Sequence, residues 1–77
     1  MPNLSPVSYT ILKCIFEKEG FIHVRTEGDH LVFTKPGVQR PVVIPKYKSL
    51  PVFIIKNNLR TAGISRERYF ELLDECR

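Results

Sequence analysis

Residues 20–33 have the sequence GFIHVRTEGDHLVF, and this segment predicts two β-strands joined by a tight turn. Residues 21–26 alternate between apolar and polar side chains and are rich in β-formers, which is typical of a half-buried strand. Residues 27–29, Glu-Gly-Asp, carry turn chemistry, and residues 30–34 form the second strand. The segment therefore predicts a β-hairpin with a histidine, His30, where the second strand leaves the turn.

The register of this hairpin decides what surrounds the histidine. A two-residue loop places Glu27 opposite His30 and leaves Arg25 opposite Val32. That register gathers an apolar set on the inner face of the sheet: Ile22, Val24, Leu31 and Phe33. It gathers a polar set on the outer face: His23, Arg25 and His30. A three-residue loop would instead place His30 opposite Thr26 and mix the two faces, so we favour the first register.

Apolar spacing and helix-end signals predict the remaining elements. A hydroxyl residue followed by proline, Ser5-Pro6, is suited to start a helix, and Gly20 is suited to end it. Gly63 and Ser65 likewise separate two later helices. The predicted order is a helix over residues 6–19, strands over 21–26, 30–34 and 41–45, and helices over 51–62 and from 65 onward. This α-β-β-β-α-α order predicts an α+β fold, a three-stranded antiparallel sheet with helices on one face.

Charge is distributed unevenly along the 77 residues, which we expect to form one domain over residues 1–77. The net charge is +4, but residues 31–66 contain no Asp or Glu. That segment carries seven basic residues: Lys35, Arg40, Lys46, Lys48, Lys56, Arg60 and Arg66. Such polarity indicates an anionic partner. The alternative is a solvated basic surface, because folding can bring distant acids next to these bases.

Several function classes find no support in the sequence. No apolar run approaches the roughly 18 residues needed to cross a bilayer, and the N-terminal residues do not resemble a signal peptide, so we expect a cytoplasmic protein. The two cysteines, Cys14 and Cys76, fit no metal or redox spacing. We expect them to be free, buried or half-buried thiols. No motif for a metal ion or a cofactor is present, so none is expected.

The histidine of the turn has two interpretations. An imidazole titrates near pH 6.5, so His30 is able to accept and return a proton at neutral pH. It can equally be a polar residue that opens a half-exposed strand, as His23 can be the polar member of its own strand. Residue chemistry alone favours this structural interpretation.

The second helix offers a polar stripe opposite its apolar side, formed by Phe53, Lys56, Asn57 and Arg60. Lys56 and Arg60 are suited to phosphates, whereas Phe53 and Asn57 are candidates for contact with a protein. A solvated helix face with a partly buried Phe53 is the alternative.

Four segments in order resemble the HicA toxins: Gly20-Phe21 to Arg25, Gly28 to Phe33, Val42 to Pro45, and the sequence Asn-Leu-Arg-Thr-Ala-Gly-Ile-Ser over 58–65. The resemblance covers essentially all of residues 6–73. It implies a fold like the double-stranded-RNA-binding domain, ribosome-independent endoribonuclease activity on mRNA, and neutralisation by a HicB-type antitoxin encoded by an adjacent gene. Many members have Ser between the glycine and the histidine, where this chain has Asp29.

The resemblance assigns His30 as the catalytic residue and Gly28 and Asp29 as its turn. The expected chemistry is attack of a ribose 2′-OH on the adjacent phosphate without a metal ion, with His30 as general base or general acid. The candidates for RNA binding are Arg25, Lys35, Lys46, Lys48, Lys56 and Arg60; those for antitoxin contact are Phe53 and Asn57. A non-catalytic RNA-binding module or a protein-interaction module on the same fold is the alternative.

Overall fold

The structure, a computed structural model, describes residues 3–77 of the chain. Its elements in chain order are α1 (Tyr9–Lys18), β1 (Ile22–Glu27), β2 (His30–Thr34), β3 (Val42–Pro45), α2 (Val52–Ala62) and α3 (Arg66–Cys76). The three strands form one antiparallel sheet in the order β1-β2-β3, so the strand that begins at His30 is the central one. The predicted α+β architecture is confirmed.

The helix ends follow local chemistry, with one correction. The Ser65 hydroxyl accepts a hydrogen bond from the Arg68 backbone N–H at 3.1 Å and so caps α3 as predicted. The predicted start of α1 at residue 6 is wrong: Ser8 precedes the first helical residue. Val7 is held out of the helix because its carbonyl accepts from the Leu50 N–H at 2.7 Å in an isolated bridge. No helix in residues 3–77 has the length and apolar character needed to span a bilayer.

The core lies between the helices and one face of the sheet. Leu31 and Phe33 of the central strand face the helices together with their direct partners Ile44 and Val42, and all four are buried. The helices contribute buried side chains to the same cluster: Leu12, Ile15, Phe16, Ile55, Leu59, Tyr69, Leu72 and Leu73. Full burial of an aliphatic or aromatic side chain contributes about 1.5–3 kcal/mol. Because strand residues alternate, His30 lies on the opposite face, to which residues 3–77 contribute no helix.

A β-bulge in β1 overturns part of the predicted face assignment. Glu27 lies opposite His30 as expected, but the pairing shifts between His23 and Arg25. The extra residue reverses the alternation before it, so the prediction of His23 on the outer face is wrong: it lies opposite the buried Phe33. The predicted inner-face pair is therefore wrong: Ile22 is 60% exposed and Val24 is 48% exposed.

The prediction of free thiols is also wrong, because Cys14 and Cys76 form a disulfide bond. Helices α1 and α3 pack together and bring the two Cα atoms within 5.9 Å, although 62 residues separate them in sequence. Two ion pairs join α3 to the C-terminal end of α1: Arg68 with Glu19, the residue after α1, at 2.9 Å, and Lys18 with Glu75 at 3.6 Å. The chain is therefore closed covalently between its first and last helices.

Candidate active site around His30

The imidazole of His30 lies at the mouth of the β1–β2 turn, on the face of the sheet that the helices leave open. Its side chain is 47% exposed, so a substrate can reach it. The Nδ1 atom lies 3.0 Å from Oδ1 of Asp29. As a member of the central strand, His30 has Glu27 on one side and the buried Pro45 on the other. Pairing with both neighbouring strands thus fixes the main chain of His30.

The turn that presents the histidine is held by a contact distant in sequence. Gly28 adopts a φ of 60°, a left-handed conformation that glycine takes without steric cost. The backbone N–H of Lys46 donates to the Asp29 carbonyl oxygen at 2.8 Å. This bond ties the end of β3 to the turn and brings Lys46 to the site. No local sequence signal predicts this bond.

The Asp29 contact distinguishes the two nitrogen atoms of the imidazole. An ionised carboxylate only accepts hydrogen bonds, so the contact with Asp29 favours the tautomer of His30 that carries its proton on Nδ1. In the neutral imidazole of His30, Nε2 is then the basic nitrogen. Once protonated, the same Nε2 becomes a donor. The pair therefore presents one working nitrogen for either direction of proton transfer.

The cations nearest the turn differ in their partners. Arg25 donates from Nε to the carboxylate of Glu27, the residue opposite His30. The positive charge of Arg25 is therefore already neutralised. Lys46 is exposed, and its ammonium group has no carboxylate partner among the described residues. Lys48 is exposed in the same connection between β3 and α2. Of the predicted cations, Lys46 is therefore the one both close to the turn and unpaired.

Other predicted residues do not gather at the histidine. Lys35 follows the far end of β2, where its Nζ lies 5.6 Å from the centre of the Phe21 ring. The ring centre of His23 lies 5.2 Å from that of Phe33, and its Nε2 atom lies 3.0 Å from the Thr26 hydroxyl. These contacts give His23 a structural role. The predicted stripe on α2 is exposed at all four positions: Phe53, Lys56, Asn57 and Arg60. It forms a second surface, separate from the turn.

One comparison with known proteins identifies a family. A family model described as the HicA toxin of bacterial toxin-antitoxin matches residues 12–64, more than two thirds of the chain. The match includes the whole sheet and α2. No curated protein matches the sequence.

Proposed function

Because this chain belongs to the HicA toxin family, a component of toxin–antitoxin systems, we propose that it is an endoribonuclease that cleaves mRNA without the ribosome. The observation that supports the proposal most directly is the Asp29–His30 pair on an open face of the sheet. It offers an oriented, accessible imidazole at the start of the acid-free segment 31–66. Cleavage of mRNA would make the cytoplasm its site of action.

The proposed reaction uses the nucleophile that RNA itself carries. The ribose 2′-OH attacks the adjacent phosphorus while the bond to the 5′ oxygen breaks, which leaves a 2′,3′-cyclic phosphate and a 5′-hydroxyl. Nε2 of His30 removes the 2′-OH proton, or its protonated form delivers a proton to the departing 5′ oxygen. Such proton transfer contributes typically ~10²–10⁴-fold in rate. A single imidazole serves one of these steps, and water or a second group serves the other.

Negative charge develops on the phosphate oxygens during the attack, and a nearby cation would stabilise it. We assign this role to Lys46, because the backbone bond to Asp29 holds it at the turn and its ammonium group is unpaired. Arg25 is less suited, since Glu27 already neutralises it. The more distant cations would hold the rest of the RNA strand by its phosphates: Lys35, Lys48, Lys56 and Arg60.

A toxin of this family has an antitoxin partner, and we propose a HicB-type protein encoded by an adjacent gene. Phe53 is 64% exposed on α2, the largest exposed fraction among the large apolar side chains of residues 3–77. Asn57 lies one helical turn further along the same stripe. An aromatic side chain beside an amide suits a protein interface better than it suits a phosphate backbone.

Asp29 is the observation that favours a non-catalytic alternative. Its carboxylate is 66% exposed beside the imidazole, where a phosphate must approach. In that alternative the domain binds RNA without cutting it, and the His30 contact only stabilises the turn. The two functions differ in whether RNA is cleaved, because both predict binding that weakens with salt.

Controlled production in bacteria tests the proposal in cells. We expect the wild-type chain to stop growth and deplete mRNA, and co-production of the antitoxin to restore growth. His30→Ala should remove both effects. His23→Ala is the matched control, because it removes the other imidazole, which packs on Phe33. Full toxicity of a folded His30→Ala variant would refute the assignment.

A further inference from the structure

A cavity of about 460 Å³ opens at the other end of the sheet from the histidine. It lies between the β2–β3 connection and the C-terminal end of α2. Its walls are formed by two runs of residues: Gly37, Val38, Gln39 and Arg40 from the connection, and Arg60, Thr61, Ala62 and Gly63 from the helix end. The volume falls in the range typical of small-ligand sites, about 300–1,000 Å³.

Two arginines are among the residues that line the cavity, and neither has a matching carboxylate. Arg40 and Arg60 have no ion-pair partner among residues 3–77, and no lining residue is acidic. They are 20 residues apart in sequence, and the fold brings them to one cavity. A guanidinium donates two parallel hydrogen bonds to a phosphate, which makes a pair of them a strong phosphate-binding arrangement.

The helix end adds groups that a bare phosphate would not use. No backbone N–H of the described residues donates to the carbonyl of Thr61. Carbonyls at a helix C-terminus carry partial negative charge and disfavour an isolated anion. They accept from ribose hydroxyls and base amino groups, however, while Val38 and Ala62 offer apolar surface to a base. The lining therefore fits a nucleotide better than it fits inorganic phosphate.

We infer that this cavity binds one nucleotide of the RNA strand, at a subsite separate from the cleavage position. The inference rests on the proposed function, since it takes RNA as the substrate. The five residues of β2 span about 13 Å at ~3.3 Å per residue and separate His30 from the connection that lines the cavity. An RNA strand bound both in the cavity and at His30 would thus be held at two separate points.

The site itself is tested by NMR titration of the backbone amides of Gly37 and Gly63, using uridine 5′-monophosphate and, separately, inorganic phosphate. We expect both amides to shift with the nucleotide, and to shift less with inorganic phosphate at equal concentration. The double variant Arg40→Gln/Arg60→Gln should lose the nucleotide response. Unchanged amides in the wild type would overturn the inference.

Whether RNA binds in this cavity is tested with a single-stranded oligonucleotide made of 2′-O-methyl nucleotides, which lack the attacking hydroxyl. Fluorescence anisotropy over a range of salt concentrations gives the slope of log affinity against log salt. Loss of the one phosphate contact at this site should reduce that slope by about 0.7. The control Lys13→Gln removes a charge from α1, outside the cavity, and should leave the slope unchanged.

The outcomes separate the inference from the proposed function. If the wild type binds the oligonucleotide but cuts no RNA, and the double variant loses the slope, the subsite stands and the nuclease proposal fails. If the wild type cuts RNA and the double variant binds like the wild type, the subsite is wrong. If the double variant weakens only the antitoxin complex, the two arginines serve a protein interface and the inference is overturned.

Discussion

Breaking the disulfide between Cys14 and Cys76 should lower the free energy of unfolding by about 4 kcal/mol. The bond closes a loop with a sequence separation of 62 residues. In the chain-entropy model, closing a loop of that length lowers the entropy of the unfolded chain by about 14 cal/mol/K, which corresponds to ~4 kcal/mol at 25 °C. A domain of 77 residues has a total stability of roughly 4–12 kcal/mol, so this bond would supply a third or more of it.

The ion pairs between the same helices cannot replace the bond. The side chains of Arg68 and Lys18 are 43% and 41% exposed, and exposed pairs contribute about 0–1 kcal/mol each.

Urea denaturation with and without a phosphine reductant measures the effect of breaking the disulfide, and mass spectrometry verifies the bond. With a urea slope of roughly 1 kcal/mol/M for so small a domain, the midpoint should fall by several molar. The control Cys14→Ala/Cys76→Ala should not respond to reductant. Equal midpoints for oxidised and fully reduced wild type would refute this reasoning.

Three further substitutions test individual contacts. Tyr69→Phe should raise the free energy of unfolding by about 1 kcal/mol, because the buried hydroxyl has no hydrogen-bond partner among the described residues. Burial also raises the pKa of the Tyr69 phenol above its ordinary 10.0, so wild-type stability should be intact below pH 10 and decline as pH rises further. Denaturation at pH 9 and pH 11 measures this, and the same decline in Tyr69→Phe would contradict it. Asp29→Ala should lower kcat about 10–100-fold with little change in KM, whereas Asp29→Asn, which keeps an oxygen acceptor for Nδ1, should lose less. Equal loss in both variants would mean that the charge matters rather than the orientation. Phe53→Ser should weaken antitoxin binding by at least tenfold in calorimetry and leave RNA cleavage unchanged; unaltered affinity would exclude Phe53 from the interface.

Local signals predicted most of the fold. The bounds of β2 and the Ser65 cap follow from neighbouring residues alone, and both are confirmed. The errors came from contacts between distant residues. Nothing local shows that Val7 pairs with Leu50, or that Cys14 meets Cys76.

The bulge in β1 had a different cause. Ile22 and Val24 are good β-formers on either face of a sheet, so their alternation fits two registers equally well. The single inserted residue decides between them, and it is visible only in the pairing with β2. The hairpin prediction was therefore correct from the turn back to Arg25 and wrong before it.

The candidate site likewise has one part that the sequence predicted and one part that it did not. The Asp29–His30 contact joins neighbours in sequence, and the family pattern drew attention to that pair. The bond from Lys46 to the turn and the placement of Arg40 and Arg60 at one cavity depend on the packing of whole elements. They emerged only once the fold was known.

Cleavage of a defined RNA by purified protein, with the product ends identified, tests the central claim most directly. Wild type and His23→Ala should give products with 2′,3′-cyclic phosphate and 5′-hydroxyl ends. His30→Ala should be about 10²–10⁴-fold slower while melting at the same temperature. Products with a 5′-phosphate, or undiminished cleavage by His30→Ala, would contradict the assignment of His30 as the acid–base catalyst of 2′-OH attack.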